Sequence, residues 1–244
     1  MQKFDYLIID TVNLAYHVFN SPENQASNRE ITVIRDKRVY PNFISSFIET
    51  VRFLERKYEA QHVVLLFDNY SSRDELKQML KPLNESSRRK NVNPQYKQGR
   101  KSATMEFYAS LETIRYYFII NEPNYHTARI PNLEADDLVK PCLTKIGEDK
   151  RVLMVTNDSD WSKYLSEKVY GLPDWREDPI GIGDFIDKYG FPPSEGRITL
   201  FKILWGDTTD NIDAVFPEIS PETKAYIVDT YESTEDFLFS FYDD

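Results

Sequence analysis

Three apolar runs share one grammar, and they constrain the fold more than any other feature of the chain. Tyr6-Leu7-Ile8-Ile9 ends in Asp10, Val63-Val64-Leu65-Leu66-Phe67 ends in Asp68, and Val152-Leu153-Met154-Val155 runs into Thr156-Asn157-Asp158. Strands with no polar face belong in a parallel sheet covered on both sides. Between the first two, Phe43 to Leu54 repeats its apolar positions at helical spacing and closes on a charged run. A second helix is predicted over roughly Glu106 to Phe118, then a short strand at Phe118-Ile119-Ile120, with Pro131-Asn132 capping a helix from Leu133. Gly190-Phe191-Pro192-Pro193 breaks the chain before an apolar helix, Ile198 to Trp205, and short helices with acidic punctuation follow. The fold class is α/β.

With 244 residues, 41% of them apolar, the chain can bury one large core. No run approaches the roughly 20 apolar residues of a bilayer span, and the first residues lead into a strand rather than a secretory segment, so a soluble, cytoplasmic protein is expected. A single cysteine, Cys142, excludes an internal disulfide, and with only His17, His62 and His126 no Cys/His zinc site can be assembled. Any metal must be held by oxygen.

The net charge of -10 argues against a nucleic-acid partner, but its distribution does not. Arg88, Arg89, Lys90, Lys97, Arg100 and Lys101 lie in a stretch, 86–101, that has no acidic residue. From Asp213 onward, nine acids face Lys224 alone. The segment from Ser71 to Gln98 is polar, basic and interrupted by Pro82 and Pro94, which suits an excursion above the sheet; a solvated loop is the plainer reading.

In an open parallel sheet the carboxyl ends of the strands face the ligand crevice, so Asp10, Asp68 and Asp158 are expected to converge. Glu134, Asp136 and Asp137 stand at a predicted helix start, Asp160 follows Asp158, and Asp207 and Asp210 lie three apart, on one face if that turn is helical. Nine carboxylates around one crevice repel one another, which raises their pKa values or draws in divalent cations. Magnesium fits oxygen ligands of this kind, and manganese suits the same set. Two such ions about 4 Å apart activate a water and stabilise the leaving oxygen in phosphodiester cleavage. Each element alone has a plainer reading, since an Asp after a strand commonly caps a helix and Glu-Ala-Asp-Asp commonly starts one.

Six motifs follow one another along the chain: Leu7-Ile8-Ile9-Asp10 with Leu14-Ala15-Tyr16, Val64 to Asp68, Tyr96-Lys97-Gln98-Gly99-Arg100, Glu134-Ala135-Asp136-Asp137, Val155 to Asp160, and Gly206-Asp207-Thr208-Thr209-Asp210-Asn211-Ile212. As a set and in this order they resemble the flap endonuclease family of 5′ nucleases, within the PIN-like fold, and its compact bacterial and bacteriophage members in particular. The resemblance implies a three-layer domain over residues 1–205, with 71–101 as a basic arch-like excursion. A small C-terminal helical region, 206–244, resembles a degenerate helix-three-turn-helix. It also implies a magnesium-dependent hydrolase of branched or 5′-ended DNA, RNA-primed strands included, leaving a 5′ phosphate and a 3′ hydroxyl, in a bacterial or phage-infected cell. By position, Asp68, Glu134, Asp136, Asp137 and Asp158 serve a first metal region, Asp160, Asp207 and Asp210 a second, and Asp10 acts through bound water. Asp10, Asp68, Asp158, Lys97 and Arg100 are the expected catalytic set, the two cations stabilising charge on the scissile phosphate. Tyr96 is expected to stack an unpaired base, and Arg88, Arg89, Lys90 and Lys101 to join Lys97 and Arg100 in holding DNA. Against these stand plainer roles: a surface tyrosine, phosphate anchoring by Lys97 and Arg100, and helix core for Trp161, Tyr164 and Leu165.

Where family members carry a glycine-rich duplex grip, this chain has Ala214 to Ala225 with Pro217, Glu218, Pro221 and Glu222 and no glycine. Thr11 replaces the usual glycine after the first Asp, and His17 stands where an arginine is common. The aromatic and acidic end, Glu235 to Asp244, reads as a docked helix with frayed acids or as a tail for a basic replication partner. A noncatalytic branched-DNA binder and a PIN-type RNase remain as alternatives, with a monomer as the default state. Asp10-Thr11-Val12 lacks the second Asp of a haloacid-type phosphatase.

Overall fold

The computed structural model describes residues 2–22, 27–68, 103–131, 133–207 and 213–241. Strands β1 (Tyr6–Asp10), β4 (His62–Leu66), β5 (Tyr125–Ala128), β6 (Val152–Val155) and β7 (Val169–Leu172) form one parallel sheet in the order β5-β4-β1-β6-β7. Central β1 pairs Leu7 with Val63 on one side and with Leu153 on the other. A separate antiparallel hairpin joins β2 (Thr32–Ile34) to β3 (Lys37–Val39).

The side-chain period of two sends successive residues of each strand into two different covered layers. Leu7, Ile9, Val63, Leu65, Leu153 and Val155 pack with α2 (Pro41–Lys57) and α3 (Met105–Asn121) through Phe43, Phe47, Phe107 and Phe118, alongside α1 (Thr11–Phe19). Ile8, Val64, Leu66 and Met154 face the other way, onto α4 (Ala135–Ile146), α5 (Ile182–Tyr189) and α6 (Glu195–Trp205). Both faces being covered explains why the three runs carry no polar position. Full burial of each such aliphatic side chain contributes about 1.5–3 kcal/mol.

The chain winds outward from β1 to β4 and β5, then returns to β6 on the opposite side of β1 and proceeds to β7. The winding direction therefore reverses between β1 and β6, and in such sheets ligands bind at the carboxyl ends beside that reversal.

Two sequence expectations are corrected. Phe118-Ile119-Ile120 is the last part of α3 and not a strand: Phe118 is fully buried, while Ile119 and Ile120 are 50% and 75% exposed. The strand that follows is β5, built from the less apolar Tyr125-His126-Thr127-Ala128. The N-cap of α4 is Glu134, so the helix begins at Ala135 rather than Leu133. The hairpin β2–β3 and the edge strand β7 carry no signal as strong as the three central runs.

At the C-terminal end, α7 (Pro221–Thr230) and α8 (Thr234–Phe239) pack beside α6, and Val228 and Phe237 belong to the same apolar cluster as Ile8 and Leu66. Gly196 allows this close approach, because a Cβ there would stand 2.1 Å from the Glu232 carbonyl oxygen. Lys224, the one cation after Asp213, is buried with its ammonium 5.5 Å from the centre of the Trp205 ring. No described helix is long and apolar enough to cross a membrane.

Candidate active site

Asp10 ends β1 in the buried floor of the crevice and caps α1, its Oδ1 accepting from the Asn13 amide at 3.0 Å. Its second oxygen accepts from the Thr156 hydroxyl at 3.2 Å. The same hydroxyl oxygen accepts from the Asp158 amide at 3.1 Å, which ties the ends of β1 and β6 together. Burial, and then the charge of Asp68, push the Asp10 carboxyl well above the usual carboxylate range.

Asp68 follows β4, and its Oδ1 accepts from the Ala135 amide at 2.8 Å, at the first residue of α4. A helix N-terminus presents unpaired amides and a favourable dipole, so the sequence Glu134-Ala135-Asp136-Asp137 draws the Asp68 anion to it while supplying acids of its own. The Asp137 carboxylate accepts from the Glu134 amide at 2.9 Å. Asp136 accepts from the indole Nε1 of Trp161 at 2.6 Å. Burial first, then the charges of Asp158, Asp68 and Glu134, push Asp136 up to about 6, against the lowering effect of the indole bond. Asp158 caps a 3₁₀ turn, Ser159–Tyr164, by accepting from the Asp160 amide at 2.9 Å.

A second group lies beside the first. The Lys202 ammonium on α6 bridges Asp160 and Asp207, 2.7 Å from Oδ2 of the latter. Burial works to lower the Lys202 pKa, but hydrogen bonds to the two carboxylates outweigh it and hold the ammonium above its ordinary value. Gly206, with φ of 80°, ends α6 and lets the chain turn so that Asp207 meets a lysine on the last turn of that same helix. The Tyr164 phenol is raised by burial and then by Glu195, Asp136, Asp137 and Asp160, which places it in the field of both groups.

Asp10, Asp68, Glu134, Asp136 and Asp158 thus act on one another, with Asp137 on the same helix start, while Asp160 and Asp207 meet through Lys202. Several of these acids are also caps, as the plainer reading holds. What capping does not require is the bonds between elements: Asp10 to Thr156, Asp68 to Ala135, and Asp136 to Trp161. Among the described residues, no group of three or more His, Cys, Asp or Glu side chains is already arranged to hold a metal ion. Asp210, Tyr96, Lys97, Arg100, Lys101, Arg88, Arg89 and Lys90 lie outside the described residues.

The sequence reading passes over Thr156, Trp161 and Lys202 as site residues. Thr156 stands between β6 and Asp158 and could have been read from its spacing, whereas the burial of Trp161 hides its polar edge in the sequence. Lys202 is a cation set between the apolar Phe201 and Ile203, which is the available signal. His17 meets the Asn157 amide nitrogen at 2.6 Å, and Asn157 in turn bonds Asn13, so the position expected to be arginine joins a polar bridge between α1 and the end of β6. Thr11 is fully buried at the start of α1.

The fold and site define a doubly wound α/β domain with an acidic cluster at its switch point. Residues 5–190 match the family model described as 5′-3′ exonuclease, N-terminal resolvase-like domain, and the chain belongs to this family. DNA polymerase I of Rhizobium leguminosarum is 25% identical over 243 residues, 98% of this chain and 22% of that protein. The flap endonuclease of Escherichia phage T5 is 25% identical over 174 residues, 71% of this chain and 57% of that protein. The chain therefore spans about a fifth of the first relative and just over half of the second. Among solved structures, the phage T5 protein co-crystallised with metal ions is similar with a TM-score of 0.64 and 21% identity, over 95% of this chain and 76% of that one. The T5 flap endonuclease in a complex with DNA and metal ions gives a TM-score of 0.63 at 21% identity, again over 95% of this chain and 76% of that one. The expected fold, a mainly parallel sheet flanked by helices with a C-terminal helical region, is the fold found.

Proposed function

We propose that the chain is a structure-specific 5′ nuclease, a flap endonuclease or 5′-3′ exonuclease. It hydrolyses phosphodiesters of branched or 5′-ended DNA, RNA-primed strands included, and leaves a 5′ phosphate and a 3′ hydroxyl. The observation that carries this reading is the meeting of Asp10, Asp68, Asp136 and Asp158, from three strand ends and one helix start, at the reversal of the sheet. Family membership and a relative named flap endonuclease support it.

Two magnesium ions, replaceable by manganese, are the proposed cofactors. The donors suit a hard divalent ion: all are carboxylates, and the burial and repulsion that raise Asp10 and Asp136 are relieved by a cation. Because magnesium keeps several waters and takes few direct carboxylates, a preformed protein shell is not required of such a site. Bound there, the ions supply an activated water and stabilise the leaving oxygen. Asp68, Glu134, Asp136, Asp137 and Asp158 are assigned to the first ion, and Asp160, Asp207 and Asp210 to the second. Asp10, whose two oxygens both accept from the protein, is assigned a role through water.

Lys97 and Arg100 donate to the scissile phosphate as charge builds on its oxygens. Arg88, Arg89, Lys90 and Lys101 hold neighbouring phosphates, and Tyr96 stacks a base. The protein works as a cytoplasmic monomer in DNA replication or repair, and its acidic and aromatic C-terminal end docks a basic replication protein. Residues 1–205 form the nuclease domain and 206–244 its helical appendage.

One observation favours a second reading, a noncatalytic DNA binder: Lys202 already neutralises Asp160 and Asp207. A labelled 5′-flap substrate in Mg²⁺, with the wild-type chain beside Asp158→Ala, separates the two. Cleavage by the wild type alone is expected. Binding without cleavage by either protein selects the second reading.

A further inference from the structure

We infer that Trp161 is a positioning residue for the Asp136 carboxylate, and that its indole N–H, rather than its bulk, is what the site uses. The inference rests on the nuclease reading and adds a residue to it.

Trp161 is 1% exposed and packs in the cluster beneath the second face of the sheet. An indole nitrogen is a donor only, and when buried it needs an acceptor. Here the acceptor is Asp136 Oδ1 at 2.6 Å, a short bond of the charge-assisted kind. Packing alone does not ask for an indole, since the other buried rings of the same cluster, Phe185, Phe191 and Phe237, are phenylalanines.

The position of the ring in the chain makes the bond useful. Trp161 lies in the 3₁₀ turn whose N-cap is Asp158, and its amide bonds back to the Asp158 carbonyl at 3.3 Å. One short turn therefore fixes Asp158 at its start and, one residue after Asp160, reaches across to commit one oxygen of Asp136. Asp158 and Asp136 belong to different elements, β6 and α4, and act on each other electrostatically. The indole bond sets the rotamer of Asp136 relative to Asp158, so the two carboxylates are presented together. Donors that orient a metal-binding carboxylate typically change metal affinity or activity by about 10–100-fold when removed.

Replacing the Trp161 indole with benzothiophene, as β-(3-benzothienyl)alanine, keeps the bicyclic bulk and deletes the N–H, whereas Trp161→Phe also removes the five-membered ring. On a 5′-flap substrate, kcat is expected to fall about 10–100-fold with KM within about threefold, and half-maximal activity to need more Mg²⁺. DNA affinity in Ca²⁺ is expected to stay near wild type, while the thermal midpoint falls by what one lost buried hydrogen bond costs. A second measurement leaves Trp161 in place: in a Trp175→Phe/Trp205→Phe chain, Trp161 is the sole indole, and its emission is expected to change saturably on titration with Mg²⁺ alone. Wild-type kcat and Mg²⁺ dependence in the benzothienyl variant, or an emission that does not respond to Mg²⁺, overturns the inference. If the wild type fails to cleave while the emission responds, the nuclease reading fails and the indole's link to Asp136 survives.

Discussion

The Thr156 hydroxyl stands 3.2 Å from Asp10 Oδ2 and receives the Asp158 amide at 3.1 Å, so a single oxygen atom joins the carboxyl ends of β1 and β6. Thr156→Val preserves the shape and removes both bonds, leaving a buried carboxylate oxygen and an amide unsatisfied. A loss of about 1–3 kcal/mol in unfolding free energy is expected, measured by urea denaturation, together with at least a tenfold fall in flap cleavage. Thr156→Ser keeps the hydroxyl and is expected to retain most of both.

Acidification is expected to stabilise the metal-free protein. Asp136 holds its proton up to about 6 in the fold, against 3.8 ordinarily, and Asp10 shifts the same way. Between those values the folded chain binds more protons than the unfolded one, so this contribution is complete below the ordinary value and lost as pH rises through about 6. The thermal midpoint in chelator is therefore expected to rise from pH 7.5 to pH 5.5, with Mg²⁺ raising it at pH 7.5 and doing less at pH 5.5. The opposite pH trend in chelator would contradict the placement of these two acids.

Lys202→Met removes the cation that Asp160 and Asp207 share. The metal-free chain is expected to lose about 1–3 kcal/mol. The stabilisation gained on adding Mg²⁺ is expected to grow, because a divalent ion no longer competes with an ammonium. An unchanged Mg²⁺ increment would separate this pair from the metal site.

Two glycines in the C-terminal half are expected to respond oppositely to alanine. At Gly196 the added methyl meets the Glu232 backbone at 2.1 Å, so α6 must part from the segment before α8, at a cost of about 1–3 kcal/mol. At Gly183, inside α5, a Cβ meets nothing within 4 Å, and alanine is expected to stabilise by about 0.5–1 kcal/mol. Thermal melts of the two variants check both.

The central strands were readable because burial on both faces leaves an uninterrupted apolar run, and the Asp at each end marks where the core stops. Ile119 and Ile120 misled for a related reason: apolar and β-branched, they imitate a strand, yet they sit exposed on a helix whose buried face is carried by Phe118 and Ile114. The edge strands β5 and β7 are less legible, since a strand at the rim tolerates Tyr125, His126 and Tyr170. In the site, Asp10, Asp68, Asp136 and Asp158 were visible as charges in the wrong place for a core. Thr156, Trp161 and Lys202 were not, because each does its work through a bond to an element far away in the chain, and only the fold determines that partner.

The claim that acids from separate strands share divalent ions is tested most directly by counting those ions. Titrating the full chain with Mn²⁺ and following the free-ion paramagnetic resonance signal is expected to give two bound ions per chain, with at least one lost in Asp136→Asn. Absence of saturable Mn²⁺ binding in the wild type, or equal binding by Asp136→Asn, would contradict it.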